Sequence, residues 1–182
     1  LPMLRYGAPL FLASLPLALN VRLDQLFLAN SVPAADLGRY AVSVTWAALG
    51  IPFMSSIGAV LFPRLASVTA AEAPALLARA SRAGVILAIV FALGSAMLAP
   101  FLVPLLFGAD FRVPLFIPIT LAVASGLLGL NGLLEEGLRG AGEPRSVLVG
   151  EALGLAMTVA LLVILVPSMG IEGAAIASVA GY

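Results

Sequence analysis

Long apolar runs alternate along the chain with short polar or Gly/Pro-rich breaks. Each complete run is long enough to cross a bilayer, for which a helix needs about 20 residues. The first extends from about Pro9 to Asn30, and the turn Ser31-Val-Pro-Ala-Ala-Asp36 follows it. The second covers about Leu37 to Phe62 and carries Pro52, which predicts a kink. Pro63 to Arg82 is the longest polar stretch, with Leu76, Leu77, Ala80 and Ala83 at helical spacing, and it reads as a segment lying along the interface. A third run covers about Ala83 to Phe107 and ends in Gly108-Ala-Asp-Phe-Arg112. The fourth covers about Val113 to Leu138, where Pro114 suits a first helical turn and Pro118 predicts a bend. Arg139-Gly-Ala-Gly-Glu-Pro-Arg145 closes it. The fifth covers about Ser146 to Val166 and stops at Pro167-Ser-Met-Gly170. A sixth begins near Glu172 and is cut short at Tyr182, so the chain reads as a fragment of a longer membrane protein. The predicted fold is all-α, a polytopic transmembrane helix bundle with five complete helices and a truncated sixth.

Composition supports the bilayer as solvent. Of 182 residues, 62% are hydrophobic and 10% charged, whereas soluble domains carry about 25% charged residues. A water-soluble enzyme, a nucleic-acid binder and a disordered tail are excluded on that ground. The chain has no Cys and no His. That removes thiolate and imidazole chemistry, and with it the commonest metal ligand and the commonest general base. There is no P-loop and no Gly-x-Ser-x-Gly, and Gly140-Ala-Gly142 lacks the strand that a nucleotide loop follows. The chain therefore reads as a non-enzyme, with no cofactor and no metal.

Every basic residue is Arg. With alternating spans, one side of the membrane holds Arg5, Arg64, Arg79, Arg82, Arg139 and Arg145, and the other holds Arg39 and Arg112. Positive charge favours the cytoplasmic side. The Arg-rich ends, including the 63–82 segment, are therefore expected in the cytoplasm, and the turns at 31–36, 108–112 and 167–170 outside.

Charges within the apolar runs mark the candidate site. Asn20, Arg22, Asp24 and Gln25 sit in the first run. Arg22 lies nine residues from Ser31, about 13 Å at 1.5 Å per residue, close to the middle of a hydrocarbon core about 30 Å thick. An Arg or Asp there costs about 2.5–3.5 kcal/mol on insertion scales. Asn20 and Asp24 share a helix face, while Arg22 points elsewhere and is expected to find its partner on another helix. A polar wall of a translocation cavity, an ion pair that only holds helices together, and a pair snorkelling to an interface all remain open. A second group joins Asn131, Glu135 and Arg139 on one helix face, with Glu136 beside them and Glu151 early in the next run. A solvated helix end is the plain reading of Glu135 and Arg139. Glu151 either reaches that interface or turns inward. Gly150-x-x-x-Gly154 and Gly173-x-x-x-Ala177-x-x-x-Gly181 are small-residue faces that suit close helix packing or dimerisation.

Several motifs, in this order and spacing, resemble the C-terminal half of polysaccharide flippases. They are Val21-Arg-Leu-Asp24, Asp36-Leu-Gly-Arg-Tyr40, Leu105-Leu-Phe-Gly-Ala-Asp-Phe111, Leu138-Arg-Gly-Ala-Gly-Glu-Pro-Arg145 and the run from Val166 to Ser178. The resemblance implies one lobe of a two-lobed transporter in the superfamily that also holds multidrug extruders. Its partners would be membrane lipids, the N-terminal lobe of the same full-length chain, and an undecaprenyl-diphosphate-linked oligosaccharide flipped across the cytoplasmic membrane. Arg22 would face the diphosphate. The candidate cavity residues are Asn20, Arg22, Asp24, Gln25, Asn131, Glu135 and Glu151. A cation-coupled drug or metabolite antiporter of the same superfamily is the alternative. Glu135 and Glu136 stand where the resemblance implies apolar or small residues.

Overall fold

A computed structural model describes residues 17–68, 72–140 and 144–182. The beginning of the first run, residues 9–16, lies outside them, as do Arg5 and the centre of the 140–145 break. Helix α1 is described over 17–28. It is followed by α2 (Ala34–Ala47), α3 (Ile51–Ser67), α4 (Ala73–Phe107), α5 (Phe116–Gly140), α6 (Pro144–Met169) and α7 (Ile171–Gly181). The described residues contain no strand. Four stretches are long and apolar enough to cross a membrane: Ala34–Leu61, Ala73–Phe107, Phe116–Arg139 and Arg145–Met169.

The prolines explain where the helices bend and start. Pro52 lacks the N–H that would bond to the carbonyl of Ala48, four residues earlier. The span accordingly tightens into a 3₁₀ turn at Ala48–Gly50 and restarts as α3 with Pro52 in its first turn. Pro118 does not bend the fourth run. Because α5 starts at Phe116, Pro118 falls in the first turn, where its missing N–H has no intrahelical partner to lose. The segment 73–82 is continuous with the span after it, since α4 runs unbroken for 35 residues. At 1.5 Å per residue that is about 52 Å, well beyond a 30 Å hydrocarbon core, so one end of α4 projects past it. Leu76, Leu77 and Ala80 pack there against Leu61 of α3 and Leu133 of α5.

The core is built around α7. Ala174, Ala175 and Ala177 are fully buried, together with Leu28 of α1, Tyr40 of α2, Ile117 of α5 and Leu162 of α6. Between lipid-solvated helices, packing rather than the hydrophobic effect holds such a core, and small residues allow it to tighten. The α6–α7 hairpin turns at Gly170, whose φ of +56° suits glycine. A Cβ on Gly154 would lie 2.6 Å from the Gly181 carbonyl oxygen, and one on Gly173 would lie 2.7 Å from that of Leu165. The Gly173–Ala177–Gly181 face thus packs inside this bundle, while Gly150 stands in open space. In contrast, Ile86, Ile89, Leu93, Met97, Phe101 and Leu105 of α4 are exposed, as an apolar face against lipid would be. At one end of the bundle Arg39 donates to the Asp110 carbonyl at 2.8 Å and pairs with Asp36 at 3.2 Å. The 31–36 and 108–112 turns therefore sit at the same end.

Candidate functional site

Among the described residues, two buried groups of contacts centred on carboxyls stand out, and each is assembled from separate helices. The first forms where α1, α2 and α7 meet. Asn20, Asp24 and Leu28 recur every four residues, so one face of α1 turns inward. Asp24, 2% exposed, accepts a 2.6 Å hydrogen bond from the Tyr40 hydroxyl. Its other oxygen accepts the backbone N–H of Gln25 at 2.7 Å. Ser178 Oγ lies 3.4 Å from the oxygen that Tyr40 holds and also donates to the Ala174 carbonyl at 3.1 Å. One turn away, Asn20 Nδ2 donates to the Gly181 carbonyl at 3.1 Å, while its Oδ1 is buried without a partner. A carboxyl met by a phenol and a backbone N–H is well satisfied. It ties three helices at a point buried from solvent.

Among the described residues Arg22 makes no hydrogen bond or ion pair to that group, although its charge is felt at Asp24 and Tyr182. Its side chain is exposed on the outer face of α1, and among the described residues it makes no ion pair. The expected partner on another helix is not found there. Two steps along a helix amount to about 200°, which puts Arg22 on the opposite side from Asn20 and Asp24. Gln25 is half-buried and contributes its backbone N–H.

The second group joins α5 to α6. Asn131 Nδ2 donates to Glu151 Oε1 at 2.7 Å. Glu135 contacts Glu151 carboxyl to carboxyl. Arg139 donates to Glu135 Oε2 at 2.9 Å and to Glu136 Oε1 at 3.2 Å. Glu135 and Glu151 are each 5% exposed, so the plain reading of a solvated helix end does not hold for Glu135. Glu151 of α6 stands on one side of it and Arg139 on the other. Glu151 turns inward. The sequence left that choice open because the contact spans 16 residues across a break. Glu135, Glu136 and Arg139 line one wall of an open groove of about 570 Å³, which Val21 of α1 and Ser55 and Gly58 of α3 complete. Among the described residues, no group of three or more acidic side chains is placed to hold a metal ion.

The two groups do not merge. Tyr182, at the end of α7, interacts electrostatically with both Asp24 and Glu151. Sequence reasoning missed Tyr40 and Ser178 as members of the site. Both appear within the motifs that carried the family resemblance, but a single hydroxyl in an apolar helix gives no signal of its own.

A family model described as polysaccharide biosynthesis protein matches residues 1–114, more than half of the chain. Three of the resembling motifs, at 21–24, 36–40 and 105–111, fall inside that match, and the two later ones lie beyond it. No curated protein and no solved structure matches the chain.

Proposed function

Since the chain belongs to the polysaccharide biosynthesis protein family, we propose that it moves a lipid-linked oligosaccharide of the undecaprenyl-diphosphate type across the cytoplasmic membrane. It does so as a transporter, not as an enzyme, with its Arg-rich ends in the cytoplasm. The observation that carries this reading is Arg22, an exposed guanidinium within a predicted span that has no ion pair among the described residues. Such a charge is held in a membrane when it faces a wet cavity or an anionic group. A diphosphate offers paired oxygens that match the guanidinium fork. The buried face of α1 supports the same reading, because Asp24 and Asn20 anchor the helix to α2 and α7 and thereby fix where Arg22 projects. A second lobe of the same full-length protein would close the cavity over this face.

In the full-length protein, Arg22→Gln abolishes or severely reduces transport of the lipid-linked sugar with expression retained. Arg22→Lys restores part of it by keeping charge without the fork. Unimpaired transport by Arg22→Gln would refute the role. Sidedness is testable separately in this Cys-free chain. An impermeant maleimide applied to intact cells labels Ala35→Cys and leaves Ser67→Cys unlabelled, and the reverse pattern overturns the orientation. The antiporter alternative draws on the buried carboxyls Glu135 and Glu151. It predicts export of cationic drugs that Arg22→Gln leaves intact.

A further inference from the structure

Glu135 presents a difficulty that nothing in its surroundings resolves. Its Oε2 is held by Arg139, but its Oε1 is buried without a hydrogen-bond donor. The group it meets is another carboxyl, that of Glu151. An ionised carboxylate only accepts hydrogen bonds, so two of them in contact have no bond to make unless a proton lies between them. With that proton, Glu135 Oε1 gains its missing partner and the like-charge repulsion disappears.

We propose that Glu135 and Glu151 form a proton-binding site that couples the transport reading above to a proton gradient. Four observations converge on it. Glu135 Oε1 is buried without a donor, on a side chain whose carboxyl interacts with that of Glu151. Asn131 fixes one oxygen of Glu151 and so orients the pair. The groove of about 570 Å³ reaches Glu135 and gives protons a route in. Finally, the seam is thinly packed: α6 rests mainly on α7, and α5 mainly on α3 and α4. The charged or titratable groups that face the pair are Arg139 and Glu136 from α5 and Tyr182 from α7. Loading moves one H⁺ from hydronium in the groove to a carboxylate oxygen and leaves water behind. The O–H···O bridge then joins α5 to α6. Unloading returns the proton to water and sets two adjacent carboxylates against each other across that seam. Buried acidic pairs used as proton relays are an established means of driving transporters.

The coupling role rests on the transport reading, whereas the proton site itself does not, and the test separates them. Infrared difference spectra of the purified full-length protein between acid and alkaline pH report the carbonyl stretch of a protonated carboxyl. The wild type is expected to show a titrating band that both Glu135→Gln and Glu151→Gln remove. Each substitution is nearly isosteric, and a Gln amide donates permanently where the proton would sit, so the seam stays closed and thermal stability confirms folding. An unchanged band in both folded variants would overturn the site. In proteoliposomes, a pH gradient is expected to accelerate flipping of the lipid-linked sugar by the wild type, and both variants are expected to lose that acceleration. Acceleration kept in the variants, despite a lost band, would overturn the coupling. A lost band together with no flipping by the wild type at any gradient would leave the proton site supported and sink the transport reading instead.

Discussion

The Asp24 group and the Glu135–Glu151 group are both buried carboxyl sites in one small bundle, and they are built in opposite ways. Asp24 is surrounded by donors: a phenol at 2.6 Å, a backbone N–H at 2.7 Å and a more distant serine. Glu135 and Glu151 have two donor residues between them, Arg139 and Asn131, and Glu135 Oε1 is buried without one. The first arrangement has one good state and joins helices that pack around the core. The second has two states that differ by a proton, and it lies where packing is thin and a groove gives access. A buried carboxyl therefore serves as a fixed joint or as a labile one according to its donors, and burial alone does not distinguish them.

The largest expected effect comes from breaking the fixed joint. Asp24→Leu leaves the buried Tyr40 hydroxyl without its acceptor and forces a bulkier apolar side chain into a packed site. The orphaned donor costs about 1–3 kcal/mol and the misfit about 1–3 more, so the bundle should lose on the order of 2–6 kcal/mol. The double variant Asp24→Leu/Tyr40→Phe should recover the share lost to the orphaned donor, because replacing both partners of a hydrogen bond by apolar groups is nearly neutral. Thermal unfolding in detergent checks both. A single variant as stable as wild type would show that Asp24 joins nothing.

Much of this contrast was visible in the sequence, but only from one side. The spacing of Asn20 and Asp24 gave the buried face of α1, and the helices themselves followed from apolar runs bounded by Gly and Pro. The small-residue face of α7 was also visible, because close packing needs Gly and Ala at four-residue intervals. What was lost is everything that depends on two helices meeting. Tyr40 and Ser178 look like ordinary polar punctuation until α2 and α7 bring them to Asp24. Glu135 looks like a solvated helix end until Glu151 of α6 stands beside it. Arg22 reads as a cavity wall, half of an ion pair or a snorkelling charge, because depth alone does not say what stands opposite. Pro118 misleads for a simpler reason, since the same residue bends a helix or begins one depending on a boundary two residues away.

Tyr40→Phe is the next effect in size. It removes the shortest side-chain bond to Asp24 and a long 3.5 Å contact with Ser178 Oγ, while the ring remains in its fully buried position. About 1–3 kcal/mol should be lost, the cost of a carboxyl oxygen deprived of its main donor. On the other side of the comparison, Glu135→Gln should change stability by less than about 1 kcal/mol. Its amide oxygen still accepts from Arg139, its N–H₂ donates to Glu151, and no buried group loses a partner. Thermal midpoints measured in parallel for the two variants test the contrast directly. A Glu135→Gln loss equal to that of Tyr40→Phe would mean that both sites are fixed joints.

Ser178→Ala should be the smallest change, and it tests whether Tyr40 acts alone. The Ser178 hydroxyl lies 3.4 Å from Asp24, long for an O–H···O bond, and 3.1 Å from the Ala174 carbonyl one turn back. One hydrogen serves only one acceptor well, and a serine in a helix interior commonly gives it to the carbonyl four residues earlier. Its contribution to the joint should therefore be about 0.5 kcal/mol, at the low end for a neutral hydrogen bond. Alanine also fits, because Ser178 sits among the buried small residues of α7 and the substitution removes one atom. A loss near 0.5 kcal/mol, unchanged when Tyr40→Phe is also present, would show that the serine spends its proton on its own helix. A loss that grows in the Tyr40→Phe background would show that Ser178 takes over as donor to Asp24, so that the fixed joint contains a reserve donor which the labile pair lacks.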